Sequence, residues 1–147
     1  MTASSLLWGF ECTDADLEVQ VAAAFFPDRS WVKADLLMSA DRSVLQHERT
    51  HFDLTEAFAR RMRRFFRILE VPCDHTDDEL LALGAQFVRD EADGQRRYDL
   101  ETANGRDQEG QAQWDASVKQ ALASLTAFSR PDLLEPRPVL WRQLERH

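Results

Sequence analysis

A helical rhythm sustained from about Ser39 to Leu69 constrains this chain more than any other feature. Val44, Glu48, His51, Thr55, Phe58, Met62, Phe65 and Leu69 recur at alternating steps of four and three residues. They therefore share one stripe of a long helix. Ser39 is placed to cap its start, and Pro72 ends it. His47 lies on the edge of the stripe. Both histidines thus face the way Phe58 and Met62 face, towards the body of the protein. Arg60, Arg63, Arg64 and Arg67 fall on the opposite side and read as a solvated face, favoured by the negative end of the helix.

A second helix is expected from 77 to about 100. Thr76 and Glu79 have the spacing of a capping box, with Asp77 and Asp78 at the positive helix end. Leu80, Phe87, Glu91 and Tyr98 share one face of it. "ANGRDQEG" (103–110) reads as a loop. A third helix follows, with Trp114, Val118, Ala121, Leu122, Leu125 and Phe128 as its apolar side. Ahead of the helices, "LEVQVAAAF" (17–25) alternates with the period of a half-buried strand. "FPDRS" turns the chain, and "WVKADLL" (31–37) reads as a second strand. The expected fold is α+β, a small antiparallel N-terminal sheet packed on a helical region. One domain is expected over 1–147, with its core over about 15–130. Pro131, Pro136 and Pro138 make the tail irregular until a last turn, "VLWRQLE".

Bulk composition narrows the functions. A chain of 147 residues that is 44% hydrophobic and 30% charged has the make-up of a globular protein. Its net charge of -8 opposes general nucleic-acid binding and adsorption to anionic membranes. No apolar run reaches the length of a membrane span. The N-terminus has no basic n-region or apolar h-region, so a cytoplasmic location is the default expectation unless an upstream segment precedes it. Cys12 and Cys73 lack metal-binding spacing; one disulfide between them is open, and two separate buried thiols are slightly favoured, because nothing else marks an oxidising compartment. Oligomeric state has no signature here.

Within the long helix stands His47-Glu48-Arg49-Thr50-His51. Histidines at i and i+4 project side by side, about 6 Å apart. That spacing suits two imidazole ligands to one tetrahedral zinc. Glu48, between them, is placed to take a proton from a water that the metal has acidified. This is the H-E-x-x-H arrangement of zinc peptidases.

A catalytic zinc needs a third protein ligand. From His51 the first helix runs about 28 Å to its end near residue 70, at about 1.5 Å per residue. An antiparallel second helix returns to the level of the histidines near 95–99. The third ligand is therefore expected in "RRYDLETANG" (96–105). Glu101 is taken first, with Asn104, Asp99 and Glu91 as alternatives; Glu91 faces the core but stops about one turn early. Tyr98 is inward-facing, placed either to steady a developing oxyanion or to pack the core. His75 falls in the far turn and His147 at the C-terminus, and neither is assigned a role.

Taken together, "SWVK", "LQHERTHFDLTEAFARRMR", "QRRYDLETANG" and "QAQWDASVKQAL" resemble a bacterial family of unknown function. Its members are read as small zincin-like zinc metallopeptidases. In that family H-E-x-x-H is followed by Phe-Asp, an acidic residue and Ala-Arg. A Tyr-Asp-x-x-Thr-x-His-Gly segment comes next, then Gln-x-x-Trp. The matching residues here are His47, Glu48, His51, Phe52, Asp53, Glu56, Ala59 and Arg60, then Tyr98, Asp99, Thr102 and Gly105, then Gln111 and Trp114. The resemblance spans about residues 25–125 and implies a minimal zincin-like fold around the H-E-x-x-H helix. Where the family has its last histidine this chain has Asn104, a poorer partner for zinc than imidazole. Either Glu101 or Asp99 completes the site, or Asn104 does so weakly, or zinc binding and catalysis are lost.

Three functions follow from this reading. The first is a zinc-dependent hydrolase, most simply a peptidase acting on a peptide or protein laid along a sheet edge within 17–37. The second is a degenerate zincin that binds without turnover. The third is a helical scaffold in which the motif is incidental.

Overall fold

The structure is a computed structural model and describes residues 4–14, 16–29 and 42–130. Strands β1 (Ser4–Thr13) and β2 (Asp16–Phe25) form an antiparallel hairpin with Trp8 opposite Val21 and Cys12 opposite Leu17. The strand expected over 17–25 is present, and among the described residues it pairs with a strand on its N-terminal side. "LLWGF" (6–10) lacks the polar alternation that marks a half-buried strand, which is why the sequence does not announce it. The strand expected over 31–37, the Ser39 cap and the final turn fall outside the described residues.

Three helices follow: α1 (Arg42–Ile68), α2 (Asp77–Glu101) and α3 (Gln108–Ser124). A 3-10 turn over Pro72–Asp74 joins α1 to α2. The arrangement is α+β, as expected, and α1 is the long helix at its centre. The Thr76–Glu79 capping box forms in full. Asp107 caps α3 by accepting from the Glu109 and Gly110 N–H groups. Among the described residues no helix is long and apolar enough to cross a membrane.

The hairpin lies on α1. Leu6, Trp8 and Val21 meet Ala59, Met62 and Phe66 of α1 and Leu80 of α2 in one buried cluster. Burying each large side chain there contributes on the order of 1.5–3 kcal/mol. The Trp8 indole occupies the space over Gly84, where any side chain would overlap it. A second cluster, Leu54, Tyr98 and Val118 with Phe58, Trp114 and Leu122 around it, holds the three helices together at the histidine end.

Two expectations are corrected. Arg60 and Arg63 are not solvated. Arg63 donates to the carbonyls of Val21 (2.9 Å) and Phe128 (2.8 Å) and to Glu56 (3.0 Å), tying α1 to the sheet and to the 3-10 turn at Thr126–Phe128. Arg60 binds Glu56 (2.9 Å) and the Leu122 carbonyl (2.6 Å). Long side chains can turn back to unpaired carbonyls, which a stripe analysis does not register. Nor are the cysteines separate thiols: Cys12 and Cys73 are joined in a disulfide, their Cα atoms 5.8 Å apart. The hairpin tip and the α1–α2 turn meet at that end of the molecule, a proximity that only the packing reveals.

Candidate metal centre

The i, i+4 spacing on α1 sets the His47 and His51 rings nearly perpendicular, with centroids 4.7 Å apart. The antiparallel return of α2 brings Asp99 against both. His47 Nε2 and His51 Nε2 stand 3.2 Å apart. Asp99 Oδ1 lies 3.2 Å from the first and 3.0 Å from the second. A tetrahedral metal with bonds of about 2.0–2.2 Å would separate its ligand atoms by about 3.3–3.6 Å. The three donors therefore need little movement to share one ion, and among the described residues they form the one His/Cys/Asp/Glu group able to hold a metal. His47 is 8% exposed and His51 15%, while Asp99 is 41% exposed, so water reaches the group from the aspartate side.

The end of α2 shapes this corner. Ala103, Asn104 and Gly105 adopt φ values of 49°, 57° and 80°, three left-handed residues in succession. Asparagine and glycine accept that region readily; alanine does so at a cost. The Asn104 N–H donates to the Asp99 carbonyl (2.8 Å), and the Gly105 N–H to Thr102 Oγ1 (3.2 Å). The turn folds the chain back over His47. A Cβ on Gly105 would sit 2.9 Å from His47 Cγ.

The other candidate ligands are engaged elsewhere. Glu101 accepts from Arg97 Nε (3.1 Å) and Trp114 Nε1 (2.8 Å). Glu91 is buried and accepts from Thr55 Oγ1 and Gln95 Nε2, each at 2.8 Å. Asn104 is exposed at the turn. His75 lies in the far turn, 3.8 Å from Glu79. Glu48 lines an open cavity of about 640 Å³ between Phe25 at the end of β2 and Arg42, Leu45, Arg49 and Phe52 of α1. Burial raises the nearby Asp53 carboxyl above its ordinary value, with Arg49 opposing and Asp115 adding to the shift.

Tyr98 is fully buried and touches both histidines. Its ring stacks on His47 at 4.6 Å and meets His51 edge-on at 4.7 Å. Its hydroxyl proton is directed to Gln111 Oε1 (2.9 Å) and the His47 carbonyl (3.1 Å). Burial pushes the phenol up to about 12, outweighing the opposing influence of the neighbouring Gln111 and Thr50 side chains. Sequence reasoning missed the polar groups behind the rings. Gln111 was visible only as a family residue without a role. Gln95 and Asp115 carry one signal, an i, i+4 spacing to Glu91 and Gln111 respectively.

Fold and site together define a small α+β protein in which two histidines of the central helix and an aspartate of α2 form a group able to hold a metal ion. The chain belongs to the family described as "Bacterial protein of unknown function (DUF922)", whose model matches residues 11–110. No curated protein and no solved structure matches it.

Proposed function

We propose that the protein is a zinc-dependent hydrolase of zincin type, most simply a peptidase. The convergence of His47 Nε2, His51 Nε2 and Asp99 Oδ1 within 3.0–3.2 Å of one another carries this reading. Two imidazoles and one carboxylate favour zinc over magnesium or calcium, which prefer all-oxygen sites. When bound, zinc would supply Lewis acidity and lower the pKa of a water towards neutrality. Asp99, not Glu101, is the third ligand in this reading.

Glu48 is the general base. Its carboxylate takes the proton of the attacking water and returns it to the leaving amine. Tyr98 acts as a positioning residue, because its hydroxyl is committed to the backbone of His47 and to Gln111. Solvent access at Asp99 leaves a side on which substrate can approach. A peptide or protein chain, extended along the hairpin edge, is the substrate class this arrangement suits.

The test is metal content with activity. Protein purified with zinc should carry one equivalent, lost on changing His47, His51 or Asp99 to Ala. Glu48→Gln should keep the metal and lose peptide hydrolysis. Wild-type protein free of zinc after such treatment would refute the proposal. Asn104, standing where the family has a histidine, favours a second reading, a zincin-like binding protein without turnover. In that case Glu48→Gln leaves every measurable function intact. An incidental motif on a scaffold would instead tolerate apolar residues at both histidines.

A further inference from the structure

Behind each histidine stands the same three-part polar arrangement, drawn from different helices. His51 Nδ1 lies 2.5 Å from Gln95 Oε1. The Gln95 amide nitrogen in turn donates to Glu91 Oε1 (2.8 Å), Thr55 Oγ1 (2.9 Å) and the His51 carbonyl (3.0 Å). His47 Nδ1 lies 3.1 Å from Gln111 Oε1. The Gln111 amide nitrogen donates to Asp115 Oδ1 at 2.7 Å. A threonine of α1 closes each set: Thr55 donates to Glu91 (2.8 Å) and Thr50 to Asp115 (2.6 Å).

These partners fix which way each amide points. Turning Gln95 over would set its oxygen against a carboxylate and a carbonyl. Turning Gln111 over would set its oxygen against Asp115 and leave the Tyr98 hydroxyl facing an NH₂ group. Each amide therefore presents oxygen to the imidazole, and an amide oxygen only accepts. The ring nitrogen facing it must carry the proton. In the neutral rings both Nδ1 atoms are then N–H donors, and both Nε2 atoms keep their lone pairs.

We propose that Gln95 and Gln111 are positioning residues that fix the tautomers of His51 and His47, so that both Nε2 lone pairs meet Asp99 at one point. The inference rests on the metal reading above and deepens it. Lone pairs brought within 3.0–3.2 Å of one another and of a carboxylate oxygen repel unless a proton or a metal ion stands between them. Glu91 and Asp115 hold the amides and add negative charge behind the rings, which favours a divalent ion. Metal-ligating histidines generally give their second N–H to a carboxylate, carbonyl or water. Here an amide is interposed between imidazole and acid on both sides.

Long-range ¹H–¹⁵N spectra of the zinc-free protein, recorded at about pH 8–9 where histidine is ordinarily neutral, report each tautomer directly. Wild-type protein should show Nδ1–H at both His47 and His51. Gln95→Met should alter the His51 pattern alone, and Gln111→Met the His47 pattern. Zinc affinity, measured by competition with a chelator, should fall about 10–100-fold in each. Unchanged tautomers in the Met variants would overturn the inference, as would unchanged zinc affinity. If Gln95→Met fails to fold, the exchange Glu91→Gln with Gln95→Glu serves in its place. It keeps an acceptor at His51 Nδ1, so the wild-type tautomer and near wild-type zinc affinity are expected; a changed tautomer in the folded protein overturns the proposal. Should wild-type protein take no zinc, the hydrolase reading falls, and the tautomer patterns alone then decide the positioning claim.

Discussion

Replacing Gly105 with alanine tests fold and site together. Gly105 has φ 80°, where an L side chain costs about 1–2 kcal/mol. The added Cβ would meet His47 at Cγ (2.9 Å), Cβ (3.1 Å) and Nδ1 (3.1 Å), inside ordinary van der Waals distance. Overpacking of this kind costs about 1–3 kcal/mol. The stiffer unfolded chain returns about 0.4–1 kcal/mol. A net loss near 3 kcal/mol is expected, read as a shift of the urea midpoint in zinc-free protein. At about 2–4 °C per kcal/mol, the melting temperature should fall by about 6–12 °C. The overlap falls on the His47 ring, so zinc affinity should drop beyond what the stability loss accounts for. Gly105→Asn separates the two effects. Asparagine tolerates the left-handed region better, so it should recover the backbone part of the lost stability, yet its Cβ still presses on His47 and zinc affinity should stay low. Gly105→Ala within about 0.5 kcal/mol of wild type and with unchanged zinc affinity would refute the packing described for this corner.

Two further outcomes are expected elsewhere in the molecule. Reducing the Cys12–Cys73 bridge, which closes a sequence separation of 61, should destabilise the protein by about 4 kcal/mol on the chain-entropy model, measured by urea unfolding with and without reductant. The Thr76 backbone N–H and hydroxyl hold the Glu79 carboxyl below its ordinary value. Its contribution is therefore present above the unfolded carboxylate pKa and is lost as pH falls through the lower folded value. Thr76→Ala keeps the backbone N–H and removes only the hydroxyl, so it should move Glu79 part of the way back towards an ordinary titration and weaken the dependence of stability on pH at the acid end, followed by carboxyl NMR shifts and acid unfolding.

The helices and their order were legible in the sequence, because each carries a periodic stripe and α2 carries a capping box. The juxtaposition of Asp99 with the histidines was half legible. Counting the rise along an antiparallel pair places the return at 95–99, but the sequence reading takes Glu101 first among the side chains there, whereas the structure sets Asp99 against the histidines. That choice depends on the left-handed turn at 103–105 and on Trp114 and Arg97 engaging Glu101, both products of packing. Strand β1 lacked alternation and went unread. The disulfide and the Arg63 contacts join residues remote in sequence, and no periodicity encodes such pairs. Gln95 and Gln111 were hidden for a different reason: their role exists only once two helices have set an amide against a ring.

The bridge between Cys12 and Cys73 encloses all of α1, and with it both histidines, in a covalent ring. Hydrolysis of any one backbone bond between those cysteines would leave two fragments still fastened together, with β2 and α1 unable to diffuse away from α2. A nicked preparation should migrate as one species on a denaturing gel without reductant and as two with it. The histidine-bearing helix α1 is thus protected from loss by a single proteolytic event in a way that α3, outside the ring, is not.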